Sequence, residues 1–214
     1  ARYLVQQSHA PEGLASHALL GRWLVTSGDH GLSARSMRSG RLRPLSPLRA
    51  AAMDATDQAA WLLAPQGQLF RLTVTSDRHR LTLVDRIDTT GAATVAACRQ
   101  GDTTFLVVRD ETQLTLLEIQ GLFVERRGVI PLPKQVIPAN SYVAALPSGE
   151  ILLAQADTVF VHSQRHWLRL EDLPQPCVGL QSLAPGQVVA VCSDQANHLS
   201  SVGINTLAGN HFDC

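Results

Sequence analysis

An all-β propeller of five blades is the fold class that the sequence predicts, because one apolar strand type recurs five times in 214 residues. The second residues of these segments are separated by steps of 38, 44, 46 and 37 residues; they are Trp23, Trp61, Phe105, Ile151 and Val188. A period of about 40 residues with several strands in each unit is typical of a propeller. Turns rich in Gly and Asx residues, and the lack of any long segment with helical periodicity, support the same fold class.

Each repeat divides into four strands, named a to d from the centre of the ring outward. The first repeat places them at 16–20, 22–27, 32–37 and 42–48; the second at 51–55, 60–64, 69–75 and 81–87; the third at 92–98, 104–108, 113–119 and 123–130; the fourth at 142–146, 150–154, 158–162 and 167–170. The b strands are apolar on both faces, as expected for a middle strand packed between neighbouring blades.

The fifth repeat offers only three good strands, at 178–183, 187–192 and 198–204. Residues 2–6 form a good strand with no a–b–c set before it, so we predict that this N-terminal strand closes the last blade. Closure removes the open sheet edge that an unfinished blade would expose. The prediction is a single propeller domain over 1–214; the alternatives are part of a larger propeller and, third, a two-sheet sandwich.

One blade carries a resemblance to a known family. Residues 21–31 read Gly-Arg-Trp-Leu-Val-Thr-Ser-Gly-Asp-His-Gly, and Ser-Gly-Arg-Leu follows at 39–42. This order resembles the middle of a blade in WD-repeat and related bacterial propellers, with a hydrophobic b strand, an Asp-containing turn, a c strand and a Gly-led turn into d. The other blades match in outline. The Trp-Asp pair of that family is absent: Arg35-Ser36-Met37 stands at its place in the first blade.

Composition excludes several classes of partner. Eighteen basic residues balance eighteen acidic ones, and aromatic residues make up only 5% of the chain. Nucleic-acid binding is not expected, since it needs a basic surface and aromatic side chains for stacking. No run of about 18 apolar residues occurs, so we expect a soluble protein without membrane insertion. The sequence starts at Ala1, which indicates a mature or truncated form and leaves the compartment open.

Aspartates recur in the predicted b–c turns. Four of these five turns carry one, at Asp29, Asp110, Asp157 and Asp194, and Gln66 occupies the fifth. Because all b–c turns emerge at one rim of a propeller, these carboxylates form a candidate site for a cation or a basic partner. The alternative is local: Asp is a preferred turn residue because it accepts hydrogen bonds from nearby backbone N–H groups.

Arginines cluster in the first blade. Five of them lie between Asp29 and Asp54 with no acid among them; they are Arg35, Arg38, Arg41, Arg43 and Arg49. Arginine pairs bidentately with carboxylates and phosphates, so these residues are the candidate partner-binding patch. The alternative is a solvated blade edge protected from aggregation by its charge.

Cysteines hold one candidate disulfide. Cys177 and Cys192 lie on adjacent predicted strands of the last repeat and can face each other across a hairpin. A disulfide would indicate an oxidising compartment and hence export. The alternative is that both are small buried hydrophobic residues.

The function predicted from these observations is a non-catalytic platform that binds other protein subunits, with no cofactor. No phosphate-binding loop, dinucleotide-binding glycine motif or nucleophile elbow occurs. The alternative is a hydrolase or lyase that uses a metal or carboxylate site at the channel mouth. A glycan or small-molecule binder is third, because such propellers need exposed aromatic side chains.

Overall fold

The computed structural model describes residues 16–134, 136–137, 141–146, 150–163, 165–184, 187–194 and 198–205. These residues form nineteen β-strands in five antiparallel sheets, and the sheets are the blades of a five-bladed β-propeller. The described residues contain no helix, so no helix among them is long and apolar enough to cross a membrane.

Strand order in every blade follows the chain, from the centre of the ring outward. Blade 1 comprises β1 (Ser16–Leu20), β2 (Trp23–Gly28), β3 (Gly31–Ser36) and β4 (Leu42–Ser46). Blade 2 comprises β5 (Ala52–Ala55), β6 (Ala60–Leu63), β7 (Gln68–Val74) and β8 (His79–Arg86). Blade 3 comprises β9 (Thr94–Gln100), β10 (Thr103–Arg109), β11 (Gln113–Gln120) and β12 (Phe123–Pro131). Blade 4 comprises β13 (Ser141–Ala145), β14 (Ile151–Gln155), β15 (Thr158–Ser163) and β16 (His166–Asp172). Blade 5 comprises β17 (Cys177–Ala184), β18 (Gln187–Ser193) and β19 (Leu199–Asn205).

The predicted blade pattern is confirmed. Predicted and observed strand ends agree within two residues in all five repeats. The predicted closing strand of blade 5, at 2–6, lies outside the described residues and stays a prediction. The described part of blade 5 is a three-stranded sheet.

Apolar cores lie between successive blades. One core fills the space between blades 1 and 2, a second that between blades 2 and 3, a third that between blades 3 and 4, and a fourth that between blades 4 and 5. The b strands supply both faces; in β6 all four residues, Ala60 to Leu63, are buried. Each fully buried leucine of this kind contributes about 2 kcal/mol of transfer free energy. The blades therefore hold one another in place through their middle strands.

Tight turns complete the blades and require glycine at defined points. Gly67, in the b–c turn of blade 2, has a φ of +81°. Its carbonyl accepts a hydrogen bond from Ile87 N at 2.8 Å, and a Cβ at this position would overlap the Ile87 carbonyl oxygen. Any other residue here would be strained and would push the outer connection of the blade away.

Candidate functional site

The antiparallel order gives the ring two ends with different loops. The a–b and c–d turns emerge at one end, which we call the a–b end. The b–c turns and the connections from one blade to the next emerge at the opposite end, which we call the b–c end. All the candidate arginines and aspartates lie in these turns and connections or in the strands beside them. Those at the same end of the ring share a surface.

Three of the five candidate arginines remain together at the a–b end. Arg38 and Arg41 lie in the c–d turn of blade 1, and Arg35 is in β3 just before it. All three side chains are exposed, and none forms an ion pair with an acid in the part of the chain that the structure describes. This end of blade 1 therefore presents a positive charge to the solvent.

A fourth arginine at this end was not singled out from the sequence. Arg22 lies in the a–b turn of blade 1, and its guanidinium carbon is 5.8 Å from the centroid of the Trp23 ring. A cation–π contact of this kind holds the side chain over the blade surface. Arg22 was read as the start of the b strand, and only the fold places it beside the c–d turn.

Arg43 and Arg49 have other partners. Arg43 donates to the carbonyl oxygens of Thr75 and Ser76, both at 3.4 Å, and contacts Nδ1 of His79 at 2.9 Å. It thus joins blade 1 to the c–d turn of blade 2. Arg49 lies at the b–c end, where it pairs with Asp29 at 2.9 Å. The structure therefore divides the candidate patch into three exposed arginines, one inter-blade contact and one ion pair at the opposite end.

An open groove lies at the a–b end, and Arg22 is the exposed arginine that lines it. Its volume is about 320 Å³, and it lies between residues 20–23 of blade 1 and residues 57–58 and 74–76 of blade 2. Asp57 at its wall is already bound by Arg99 of blade 3, through contacts of 2.7 and 2.8 Å, and this pairing holds the pKa of the carboxyl below its usual value. The walls of the groove are mixed: Arg22 and Asp57 are charged, Gln58, Thr75 and Ser76 are polar, and Leu20, Trp23 and Val74 are apolar.

The four candidate carboxylates each bind groups of their own neighbourhood. Asp110 is 3% exposed and accepts hydrogen bonds from the backbone N–H groups of Thr112, Gln113 and Thr90 at 2.7, 2.9 and 3.1 Å. Burial raises the pKa of Asp110, but these bonds and that from the Thr112 hydroxyl outweigh burial, and the pKa lies below its usual value. The side chain stabilises the turn as an anion.

The other three carboxylates are also engaged locally. Asp29 pairs with Arg49, Asp157 accepts from the Thr158 hydroxyl at 3.3 Å, and Asp194 accepts from the backbone N–H of His198 at 2.8 Å. Among the residues that the structure describes, no group of three or more His, Cys, Asp or Glu side chains is arranged to hold a metal ion.

Cys177 and Cys192 are directly opposite each other in the β17–β18 ladder. The preceding pair is hydrogen-bonded through Ser193 N and Pro176 O, so the cysteines occupy a non-hydrogen-bonded position, where Cα atoms are about 4.5 Å apart. That separation is within the range that a disulfide spans. In the structure both are buried free thiols, and burial raises the pKa of Cys177 to about 11. The disulfide remains a prediction.

A carboxylate that the sequence reading did not single out lies at the centre of the ring. Asp54 in β5 accepts from Ala97 N and Ala55 N, each at 2.8 Å, and from Gln181 Nε2 at 3.5 Å. The inner strands of blades 2, 3 and 5 therefore meet at this side chain. Burial raises the pKa of Asp54 to about 6. In the sequence, Asp54 could have been noticed as the one charged residue in the otherwise apolar segment 52–55.

Comparisons with known proteins identify the fold and no family. No protein-family model matches the chain, and no curated protein matches it either. The β-propeller domain of Cps50 (Swd1) from Myceliophteria thermophila is similar, with a TM-score of 0.51 and 8% identity over 90% of this chain and 83% of that one. A chain of the nidogen/laminin complex gives a TM-score of 0.55 and 8% identity over 88% of this chain and 79% of that one.

A third similar structure belongs to a much longer chain. PorZ, a surface component of the type-IX secretion system of Porphyromonas gingivalis, gives a TM-score of 0.52 and 14% identity over 88% of this chain. The chain spans only 27 to 28% of the length of PorZ and of two other similar structures. At these identities the likeness shows the fold alone. The resemblance to WD-repeat and related propellers is confirmed at that level.

Proposed function

We propose that the protein is a non-catalytic platform that binds an acidic surface of another protein subunit at the a–b end of blades 1 and 2. The observation that carries this proposal is the set of exposed arginines Arg22, Arg35, Arg38 and Arg41 on one end of blade 1, of which Arg22 also lines the open groove. Arginine forks bind carboxylates bidentately, and the groove beside Arg22 adds buried area to such a contact.

The similar structures support a role in assembly. One of them is a complex of nidogen with laminin, so a ring of this fold takes part in a protein complex there. A propeller suits that role, because its inter-blade cores fix the position of every turn and leave the turns free to vary. The proposal places the contact on turns of two adjacent blades.

Charge reversal tests the proposal. The variant carries Arg35→Glu, Arg38→Glu and Arg41→Glu. Its component Arg38→Glu is also made alone, and the matched control for that single change is Arg86→Glu, at an exposed arginine at the other end of blade 2. All are expressed in the source organism with an affinity tag, and partners are quantified by mass spectrometry. We expect the triple variant to lose a stoichiometric partner by at least about tenfold, with an unchanged melting temperature, because only exposed charges are altered.

Two further results test the proposal: the effect of salt on partner retention, and the comparison of the variant with its control. Retention of the partner should fall as ionic strength rises, since exposed charge pairs are screened within about 10 Å at 0.1 M salt. A triple variant that folds and retains its partners as the control does would contradict the proposal.

A further inference from the structure

Blades 1 and 5 each have one face that no other described blade covers. Apolar cores join successive blades from 1 to 5, and none in the described part of the chain combines residues of blade 1 with residues of blade 5. The middle strands show the same difference. Residues 60–63 of β6 and 151–154 of β14 are buried on both faces, whereas burial alternates along β2 and β18. The junction that closes the ring therefore lacks a core among the described residues.

A row of large side chains crosses the open face of blade 1. The row consists of four residues that are successive partners in the ladders from β1 to β4; they are Leu19, Leu24, Arg35 and Leu42. Val25, the next residue after Leu24, is fully buried in the core with blade 2, so the row lies on the opposite face. Leu19 is 46% exposed and Leu42 is 57% exposed. Single exposed leucines are ordinary, but a continuous row across a sheet indicates an interaction surface.

Small side chains line much of the open face of blade 5. Two cross-strand rows share this face; they are Gly179, Val191 and Ser201, and Gln181, Val189 and Gly203. Ser201 and Gly203 on the outermost described strand are exposed, and a Cβ added at Gly203 would meet no described atom within 4 Å. Glycine in a strand lets a further piece of backbone approach closely. Both faces at this junction are therefore open to another segment.

Residues 1–15 are suited to cover the row on blade 1 by their position, length and composition. They lead directly into Ser16, the first residue of β1, and β1 carries Leu19. Fifteen extended residues span up to about 50 Å, and a four-stranded sheet is about 15 Å wide, so the segment can reach every strand of the blade. The segment contains the apolar run Tyr3-Leu4-Val5, whereas residues 206–214 contain no run of three apolar residues.

We propose that the row on blade 1 is a docking surface for residues 1–15, which thereby fill the junction between blades 5 and 1. The predicted closing strand at 2–6 was assigned only to the edge of blade 5, and this proposal adds the surface on blade 1. Arg35 contributes the stem of its side chain, and its guanidinium stays at the a–b end, since arginine stems cover apolar surface while the charge remains in water. The proposal does not rest on the proposed function.

A photoreactive side chain placed in the row identifies what covers it. In the purified full chain, p-benzoylphenylalanine replaces Leu42, and in the control it replaces Leu83, a leucine of similar exposure on the outer strand of blade 2. After irradiation of a dilute sample, we expect the probe at Leu42 to form a cross-link within the same chain to residues 1–15. The probe at Leu83 should give no such product. Fragment-ion sequencing locates the linked residue, because a tryptic peptide contains both the segment and β1.

Paired substitutions within the segment test its contact with the row. Leu4→Glu places a charge in the filled junction and should reduce the cross-link by at least about tenfold, whereas Gln7→Glu adds the same charge at a polar position and should retain it. If the Leu42 variant does not fold, Leu19 in the same row takes the probe.

Several results would overturn the proposal. They are a cross-link from the row to residues 206–214, a cross-link to a second copy at doubled mass, no cross-link from a folded variant, and equal linkage of residues 1–15 to the probe at Leu83. Because the protein is tested alone, this experiment is independent of the partner-retention test.

Discussion

Arginines differ from one another in their roles in this ring, and so do aspartates, because each side chain has different neighbours. Arg38 and Arg41 extend into solvent from a turn, whereas Arg43, two residues further on, binds the neighbouring blade. Asp110 is buried and holds a turn together through several N–H groups, whereas Asp157 at the equivalent turn of blade 4 is exposed. These differences lead to two predictions for single residues.

Because of Asp54, the free energy of unfolding should fall as the pH rises from acid to neutral. Its pKa is raised to about 6 by burial, so the folded state binds a proton more tightly than the unfolded state. Its contribution is fully present below the unfolded pKa of 3.8 and is lost as pH rises through about 6. Between pH 4.5 and 7.5 we expect wild type to lose about 2 kcal/mol relative to Asp54→Asn. Urea unfolding of both proteins at both pH values measures this change. If wild type and Asp54→Asn differ by the same free energy of unfolding at pH 4.5 and at pH 7.5, the prediction is wrong.

Asp110 should be a structural residue. Replacement with alanine removes the acceptor of the N–H groups of Thr112, Gln113 and Thr90 in a partly buried turn, and we expect a loss of about 1 to 2 kcal/mol in the free energy of unfolding. Asp157→Ala is the matched control, because that side chain is exposed and should matter by less than about 0.5 kcal/mol. Equal losses in the two variants would show that Asp110 has no special role.

Strands and hairpins are the level at which sequence patterns were most informative. The b strands are buried on both faces, so their apolar runs stand out, and Gly and Asx residues mark the turns between them. Contacts between blades produce no comparable pattern in the sequence. Arg43 with His79, and Asp54 with Ala97, join residues that only the packing of two sheets brings together. For the same reason the five arginines were predicted as one patch, although Arg49 lies at the opposite end of the ring.

The β17–β18 hairpin carries a prediction about redox state. Its two cysteines lie at a pair position that a disulfide can bridge, and burial raises both thiol pKa values. If the disulfide forms, protein purified without reductant and unfolded in urea should show two reactive thiols out of the four cysteines. Four reactive thiols would exclude it. In the folded, reduced protein we expect slow alkylation of Cys98, Cys177 and Cys192, because buried thiols carry little thiolate at neutral pH.

At the scale of the whole molecule, the ring separates two kinds of surface. The b–c end has carboxylates that are bound within their own turns, by Arg49 or by N–H groups. The a–b end has arginines without ionic partners among the described residues, and an open groove. Four inter-blade cores hold these turns in fixed positions. We expect the exposed arginines of blade 1 to attract an acidic partner.

The measurement that tests this account most directly is the native mass of the protein taken gently from its source, together with identification of whatever accompanies it. We predict a stoichiometric complex with a second protein whose contact surface is acidic, and dissociation of that complex at high salt. A protein that runs alone at its own mass at low salt would contradict the platform function.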